Sequence, residues 1–371
     1  MGEAKLLRRN LSAQLRGAAT EKLIGAVPAP AILVDAEARV MFANPPAREL
    51  LPALKVDELL VLALRAPDVV DAIRRVAGGG ESETALWSER APIERLFQVD
   101  VAPLATDLGD VVAMLLTLRD LTEARRVERM RADFIANASH ELRTPLASLL
   151  GFIETLQGSA QADAKARAKF LEIMREQGRR MARLIDDLLS LSRIEQKQHL
   201  RPAAEVDLSQ VARHVADTLQ PLAREMQVEL KLDTGASVVV IGERDELVRV
   251  AENLIENAIK YGAHPEDGVP GRVEIAVTRK GKDGCLVVRD FGRGIAPEHL
   301  PRLTERFYRI DPGQSRAKNG TGLGLAIVKH ILARHHGRLT IASRLGEGST
   351  FTAFTPLAKP AERELLVDGK S

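Results

Sequence analysis

The chain has 371 residues, 45% of them hydrophobic, and a formal net charge of +2, so it is long enough for two or three domains with apolar cores. Basic and acidic residues are interleaved, which gives no reason to expect nucleic acid as a general partner. The single cysteine, Cys285, excludes an internal disulfide and a thiolate metal cage and is typical of a reducing compartment.

The sequence predicts a cytoplasmic chain. No run approaches the roughly 18 apolar residues that cross a bilayer, and no signal-peptide pattern opens the sequence. Residues 1–20 form a basic segment with four basic residues against Glu3 alone. This local excess leaves two interpretations open: a solvated helical start, or a segment that rests on an anionic membrane surface.

Residues 21–118 alternate short apolar runs with turn signals, which predicts strands joined by hairpins. The runs lie at 31–34, 39–42, 97–101 and 111–118. The last run leads directly into a segment with helical character.

The strand order and the Asp120-Leu121-Thr122 junction after the last strand resemble a PAS sensor domain, which has an α/β fold. The region holds no histidine and no cysteine, so it lacks the axial imidazole of a typical haem sensor and the thiol of a flavin adduct. We interpret the triple glycine at 78–80 as a loop rather than a phosphate cradle, because no apolar strand leads into it.

From residue 119 to 197 the apolar period becomes that of a helix, which predicts a helical hairpin. The second half carries a bundle seam at alternating steps of four and three: Phe170, Met174, Gln177, Met181, Leu184, Leu188 and Leu191. The first half carries a matching stripe: Ala138, Leu142, Leu146, Leu149, Ile153 and Leu156. Because a two-helix hairpin cannot bury an apolar face alone, we expect a second copy to complete a four-helix bundle.

The first histidine of the chain lies on the first of these helices. At about 100° per residue, His140 lies about 200° from Ala138 and Leu142, so the imidazole should face water. An unperturbed imidazole has a pKa of about 6.5, so near neutral pH much of it is the uncharged nucleophile. Glu141 can accept the Nδ1 proton and leave Nε2 for a phosphoryl group.

Residues 139–145, Ser-His-Glu-Leu-Arg-Thr-Pro, resemble the phosphoacceptor box of sensor histidine kinases. The resemblance implies that His140 is the phosphoacceptor and that Glu141 assists it. Thr144 lies on the same helical face as His140, and the resemblance implies that it orients a water molecule for dephosphorylation of a partner. A threonine without such a role is the open alternative. Pro145 removes a helical N–H and predicts a bend just after the acceptor.

From 203 to 358 helices and strands alternate, which predicts an α/β two-layer sandwich. Helices are expected near 207–223, 244–261 and 323–335, and strands near 227–232, 237–241, 272–278, 285–289, 338–343 and 350–355.

The second of these helices carries polar residues along one face. Asn253 and Asn257 are four residues apart, and Lys260 follows three residues later. Mg²⁺ prefers hard oxygen ligands and is usually shared between one or two protein groups and phosphate oxygens, so an asparagine carbonyl suffices.

Three glycine-bearing segments follow this helix. Asp290 ends an apolar strand, where it could accept the adenine amino proton while Gly292 and Gly294 let the backbone approach a ligand. Residues 320–325 place glycines at alternate positions before a helix, where free N–H groups could hold phosphates. Residues 346–350 are the third segment, which either contacts the ligand as well or forms a simple hairpin turn.

These segments, with residues 305–309 between them, resemble the nucleotide boxes of the histidine-kinase ATP-binding domain, a fold shared with gyrase and heat-shock chaperones. The resemblance implies ATP and Mg²⁺ as cofactors, with Asn257 as the metal ligand, Asn253 supporting it and Lys260 on phosphate. It also implies a set of nucleotide-contacting residues: Tyr261, Asp290, Gly292, Gly294, Phe307, Arg309, Gly320, Thr321, Gly322, Leu323, Gly324 and Thr350. The polar stretch 311–319 has the composition of a mobile lid.

Hydrolytic relatives place a water-activating glutamate where this chain has Asn253. An amide there discourages water attack and favours transfer to a histidine. Glu252 and Glu256 lie nearby, so this argument depends on the register of the helix.

Together the resemblances imply a multidomain α+β chain: a basic segment 1–20, a PAS-like domain 21–118, a dimerisation and phosphotransfer domain 119–197, an ATP-binding domain 203–358 and a tail 359–371. They imply a homodimeric, ATP-dependent histidine kinase, most like the phosphate-regulon sensors, that passes phosphate from His140 to an aspartate of a response regulator and also acts as a phosphatase. Since many members carry transmembrane helices, the chain could be the cytoplasmic part of an inner-membrane protein. Two rivals remain open: a pseudokinase scaffold and a gyrase-like ATPase.

Overall fold

The computed structural model describes residues 17–89, 95–105, 111–158, 163–197, 199–262, 271–311 and 320–358. The chain divides into two compact units, Met1–Ile135 and Ala136–Ser371. Most of the expected basic segment, nearly all of the expected lid and the tail lie outside the described residues. Within the ranges above, every helix is too short or too polar to cross a membrane.

The first unit is built on a five-stranded antiparallel sheet in the order β2-β1-β5-β4-β3. The strands are β1 (Ala31–Asp35), β2 (Val40–Ala43), β3 (Glu83–Glu89), β4 (Arg95–Ala105) and β5 (Val111–Asp120). The helices are α1 (Ala18–Gly25), α2 (Pro45–Leu50) and α3 (Pro67–Ala77).

The core of this unit lies between the sheet and α3. Val69, Ala72, Ile73 and Val76 recur at helical spacing and are buried, so α3 presents one apolar stripe to the strands. The four expected strands are confirmed, and the triple glycine follows α3 as a turn.

Two long helices form the expected hairpin, α4 (Thr122–Gln157) and α5 (Ala164–Gln196). Asp163 caps α5, because its carboxylate accepts the N–H groups of Lys165 and Ala166 at 2.9 and 3.0 Å. Every residue of the expected seam on α5 is buried or half-buried. α4 continues as one helix through Pro145, and the bend expected there stays a prediction.

The matching stripe on α4 is only partly covered within one chain. Ala138, Leu142, Leu149 and Leu156 are half-buried. Leu146 and Ile153 are exposed, so α5 of the same chain does not bury the whole stripe.

The remainder of the second unit is a two-layer sandwich, as expected. Its main sheet has the order β11-β12-β10-β9-β7, in which only β7 and β9 are parallel, and a two-stranded sheet pairs β6 with β8. The strands are β6 (Glu205–Asp207), β7 (Val228–Asp233), β8 (Val239–Ile241), β9 (Gly271–Lys280), β10 (Asp283–Asp290), β11 (Arg338–Arg344) and β12 (Gly348–Pro356). The helices are α6 (Leu208–Glu225), α7 (Arg244–Gly262) and α8 (Gly324–Arg334).

Helix α7 lies at the centre of this sandwich, packed against α6, α8 and the strands β9 and β10. Its buried face carries Leu247, Leu254, Ile255 and Ile259 at steps typical of a core-facing helix. The opposite edge of α7 holds the asparagines, while Asp290 ends β10 and the glycine loop 320–323 leads into α8.

Candidate functional site

His140 is exposed on α4, as the helical geometry predicts. Across the part of the chain that the structure describes, its imidazole makes no hydrogen bond, while its carbonyl accepts the Thr144 hydroxyl at 3.2 Å. The ring is therefore open to a reactant that arrives from solvent.

Glu141 differs from the expectation that it binds the neighbouring imidazole. Its Oε2 accepts a hydrogen bond from Arg180 Nη2 at 3.0 Å and lies 3.4 Å from Arg309 Nη2. The side chain of Glu141 is 24% exposed, that of Arg180 10% and that of Arg309 7%. The carboxylate takes these partners because two guanidinium cations attract it more strongly than an imidazole does. A contact of Glu141 with His140 stays a prediction.

The two asparagines of α7 are half-buried, one helical turn apart. The Asn253 amide donates to the Arg249 carbonyl at 2.8 Å, which fixes the side chain along the helix. A Cβ at Gly324 would overlap the Asn253 amide oxygen, so this oxygen lies against the start of α8. Lys260 forms an ion pair of 2.6 Å with Glu256 on the same helix.

Asp290 is buried at the end of β10, with 4% exposure. Its Oδ1 accepts the N–H groups of Gly292 at 3.0 Å and Ser349 at 3.3 Å, so the loop that follows β10 and the start of β12 are both tied to it. Sequence reasoning named Thr350 for this region. Thr350 is half-buried, and its neighbour Ser349 makes the contact.

Gly292 and Gly294 are required by close backbone approach. A Cβ at Gly292 would overlap the Tyr261 carbonyl oxygen, and one at Gly294 would overlap the Arg344 carbonyl oxygen. Gly294 also has φ +68°, a conformation that side chains rarely adopt.

The segment 305–309 and the glycine loop 320–323 are hydrogen-bonded to each other. The Phe307 N–H donates to the Gly322 carbonyl at 2.8 Å, and Arg309 donates to the Gly320 carbonyl. Phe307 and Gly322 both have positive φ, +64° and +74°. Leu323 is fully buried next to the start of α8, so the loop is anchored at both ends.

Contacts between the hairpin and the α/β sandwich involve residues that sequence reasoning missed. Asp187 of α5 accepts the Thr321 hydroxyl at 2.8 Å and Arg249 at 2.9 Å. Glu195 pairs with Arg306. These partners are far apart in sequence, so no local spacing could have signalled them.

Arg334 joins the end of the hairpin to the α/β sandwich. Its guanidinium donates to the Lys197 and Leu200 carbonyls at 3.2 and 3.0 Å and pairs with Glu243 and Glu246 at 3.0 and 2.5 Å. The four contacts fix the segment after α5 against α7 and α8.

His335 is a second histidine with a defined environment. Its Nε2 accepts the Glu243 N–H at 3.0 Å and its Nδ1 lies 2.8 Å from the Ile331 carbonyl, an arrangement that requires a neutral ring with the proton on Nδ1. Burial lowers the pKa of His335 below its ordinary value.

Three family models match the chain. They are described as "PAS fold" for residues 24–126, "His Kinase A (phospho-acceptor) domain" for 130–197, and "Histidine kinase-, DNA gyrase B-, and HSP90-like ATPase" for 242–359.

Curated relatives are sensor kinases. The phosphate regulon sensor protein PhoR of Pseudomonas aeruginosa is 39% identical over 250 residues, covering 67% of this chain and 55% of that protein. The sensor protein kinase WalK of Staphylococcus saprophyticus is 31% identical over 345 residues, covering 91% of this chain and 54% of that protein. The chain thus spans about half the length of these two relatives. Among solved structures, the Acinetobacter baumannii histidine kinase AdeS is similar with a TM-score of 0.47 and 25% identity, over 59% of this chain and 98% of that one.

Proposed function

Because the chain belongs to the sensor histidine kinases of two-component systems, we propose that it transfers the γ-phosphoryl group of ATP to His140. The observation that carries this proposal is the exposed His140 imidazole on a hairpin whose Glu141 is linked through Arg309 to the glycine loop. The nucleophile, its neighbouring carboxylate and the nucleotide boxes thus occur in one compact unit.

The proposed step forms one bond and breaks one. Nε2 of His140 attacks the γ-phosphorus, the bond from that phosphorus to the β–γ bridging oxygen breaks, and ADP leaves with the bonding electrons. The imidazole gains positive charge as the N–P bond forms. Glu141 is proposed to accept the Nδ1 proton, or to stabilise it electrostatically.

The residues of the nucleotide boxes fit a nucleoside triphosphate. Asp290 lies at a strand end, where its carboxylate could accept the adenine amino proton, and the glycines beside it let the loop pack closely against the Tyr261 and Arg344 carbonyls. The glycine loop and the N-terminus of α8 offer backbone N–H groups to phosphates. Asn257, supported by Asn253, would hold Mg²⁺, which when bound neutralises charge on the phosphate oxygens.

We also propose that the hairpin dimerises. Leu146, Leu150 and Ile153 of α4 and Ile185 and Leu189 of α5 are 45%, 53%, 37%, 43% and 51% exposed within one chain. A second hairpin that covers these side chains would complete a four-helix bundle and remove the apolar surface from water.

The test of phosphotransfer is incubation with γ-labelled ATP and Mg²⁺. The wild type and a His214→Gln control, which changes another exposed helical histidine, should gain acid-labile, alkali-stable label. His140→Gln should gain none. Free phosphate without protein label would instead indicate a gyrase-like ATPase, and neither product would indicate a scaffold.

The proposed acceptor is an aspartate of a response-regulator receiver domain. Labelled protein mixed with its cognate receiver should lose label to an acyl phosphate on the receiver within seconds. Failure of every receiver encoded in the same genome to accept label would contradict this partner class.

Thr144 is proposed to act in the reverse reaction on the phosphorylated receiver. We predict that Thr144→Ala retains label on His140 but loses dephosphorylation of the receiver, since the hydroxyl that orients water is absent. Thr155→Ala is the matched control, because Thr155 lies on the same helix and also donates to the carbonyl four residues earlier, at 2.7 Å. Dephosphorylation at the wild-type rate by Thr144→Ala would refute the role.

A further inference from the structure

Arg180 occupies a position where an antiparallel helical hairpin normally buries an apolar side chain. It lies three residues after Gln177 and four before Leu184, and the residue as a whole is 8% exposed. Its neighbours Arg179 and Arg183 are exposed. One arginine of this basic stretch therefore points into the hairpin while the others face water.

The partner of this buried guanidinium is Glu141, at 3.0 Å across the hairpin. A buried ion pair is a weak source of stability, because apolar residues of similar volume hold such an interface at least as well. Stability alone therefore does not explain an arginine here. The identity of its partner, the residue after the proposed phosphoacceptor, does.

We infer that Arg180 is a positioning residue for the phosphotransfer proposed above, on which this inference rests. Arg180 and Arg309 both contact Oε2 of Glu141, so the carboxylate is held by one oxygen. Among the described residues no hydrogen bond reaches Oε1, the oxygen that we assign to the Nδ1 proton of His140. A guanidinium suits this task because its rigid planar fork fixes a carboxylate in direction as well as distance.

The two arginines lie on different parts of the second unit. Arg180 is on the same hairpin as His140 and Glu141, whereas Arg309 belongs to the ATP-binding fold and also donates to Gly320. Movement of the nucleotide site toward His140 would take Arg309 with it. Arg180 would remain with Glu141 and keep the carboxylate oriented during transfer.

The test uses the full chain with Arg180→Met, which keeps length and removes charge, and Arg179→Met as the matched exposed control. Autophosphorylation rates are measured over a range of ATP concentrations. We expect Arg180→Met to lower kcat about tenfold to a hundredfold with the KM for ATP within about twofold, because orientation rather than binding is lost. Its Tm should fall, because the Glu141 carboxylate loses one of its two cationic partners, so kcat is compared at a temperature where the variant is folded; Arg179→Met should match the wild type.

A double-mutant cycle with Glu141→Gln separates positioning from a general structural role. If Arg180 acts through Glu141, Arg180→Met should lower kcat by little in the Glu141→Gln background, although it lowers kcat strongly in the wild type. Equal losses in both backgrounds would overturn the inference. So would a folded Arg180→Met variant with the wild-type kcat.

Arg180→Lys decides the question if Arg180→Met does not fold. A single ammonium restores charge but holds a carboxylate less rigidly, so kcat should fall severalfold with KM unchanged. A wild-type kcat for Arg180→Lys would overturn the inference. A wild type that gains no label on His140 would instead refute the proposed function and the inference with it.

Discussion

Asn44 shows how one buried side chain can organise a domain. Its Oδ1 accepts the N–H groups of Ala31 and Ala47, both at 3.0 Å, and its amide donates to the carbonyls of Val27 and Ala29 at 3.0 and 2.8 Å. It therefore caps α2 and joins it to the segment before β1. Since Asn44 is 0% exposed, water cannot replace any of these bonds.

We predict that Asn44→Ala lowers the free energy of unfolding of the first unit by about 3 kcal/mol, because a cap is lost and buried backbone groups are left unpaired. Trp87 is the single tryptophan and lies in this unit, stacked on Phe97, so its fluorescence during urea unfolding reports this unit alone. Ser82→Ala, at an exposed polar residue of the same unit, is the control. Equal midpoints for the two variants would contradict the assigned role.

His335 makes the stability of the ATP-binding fold depend on pH. Burial lowers the pKa of its imidazole, and Glu246, Glu243 and Arg334 are the charged groups around it. In the unfolded chain a histidine titrates near pH 6.5, so below about that pH the unfolded state binds the additional proton. The stability due to neutral His335 is thus present above pH 6.5 and is lost as the pH falls toward the folded-state pKa.

We predict that the Tm of the ATP-binding fold falls more between pH 7.5 and pH 5.5 in the wild type than in His335→Gln, which has no titrating ring there. Differential scanning calorimetry at closely spaced pH values measures the slope. His214→Gln, at an exposed histidine, should keep the wild-type slope. Identical slopes for wild type and His335→Gln would show that another group causes the pH dependence.

At the level of single residues, the sequence predicts exposure better than contacts. The exposure of His140 follows from helical geometry and is confirmed. The partners of Glu141 do not follow, because Arg180 is 39 positions away and lies on the other helix of the hairpin. Helical periodicity indicates which side faces the seam, but it does not reveal which charged residue on that side is buried.

Among the elements, those between 203 and 358 are predicted well except β6, whereas β3 and α3 of the first unit are absent from the prediction. The strands and helices expected between 203 and 358 occur within a few residues of their predicted ends. β6 is absent from the prediction because Glu205-Val206-Asp207 holds one apolar residue, whereas the equally short β8 is Val239-Val240-Ile241; β6 exists through its pairing with β8. The parallel pairing of β7 with β9 likewise depends on tertiary contacts.

The loop after β10 depends on a glycine at position 292. Gly292→Ala should greatly weaken ATP binding, because the added Cβ overlaps the Tyr261 carbonyl oxygen and pushes the loop away from α7. Gly151→Ala is the matched control, since Gly151 lies in helix α4 with ordinary helical φ and a Cβ there meets nothing within 4 Å. Titration calorimetry with a non-hydrolysable ATP analogue measures both. Wild-type affinity in Gly292→Ala would show that the loop moves without consequence.

At the scale of the second unit, the hairpin holds the glycine loop through a carboxylate. Asp187 accepts the Thr321 hydroxyl with Oδ2 and Arg249 with Oδ1, and its side chain is 19% exposed. Phosphates at this loop would bring several negative charges beside the same carboxylate. Because like charges repel most strongly where water is partly excluded, nucleotide and this hairpin contact should oppose each other.

We therefore predict that Asp187→Asn, which keeps the shape and removes the charge, binds a non-hydrolysable ATP analogue about fivefold or more tightly than the wild type. AMP, which lacks the β- and γ-phosphates, should bind both proteins alike. Asp186→Asn is the control, since Asp186 is the exposed neighbour on the same helix. Titration calorimetry decides the matter: an unchanged or weaker affinity of Asp187→Asn for the triphosphate would show that the hairpin contact does not compete with nucleotide.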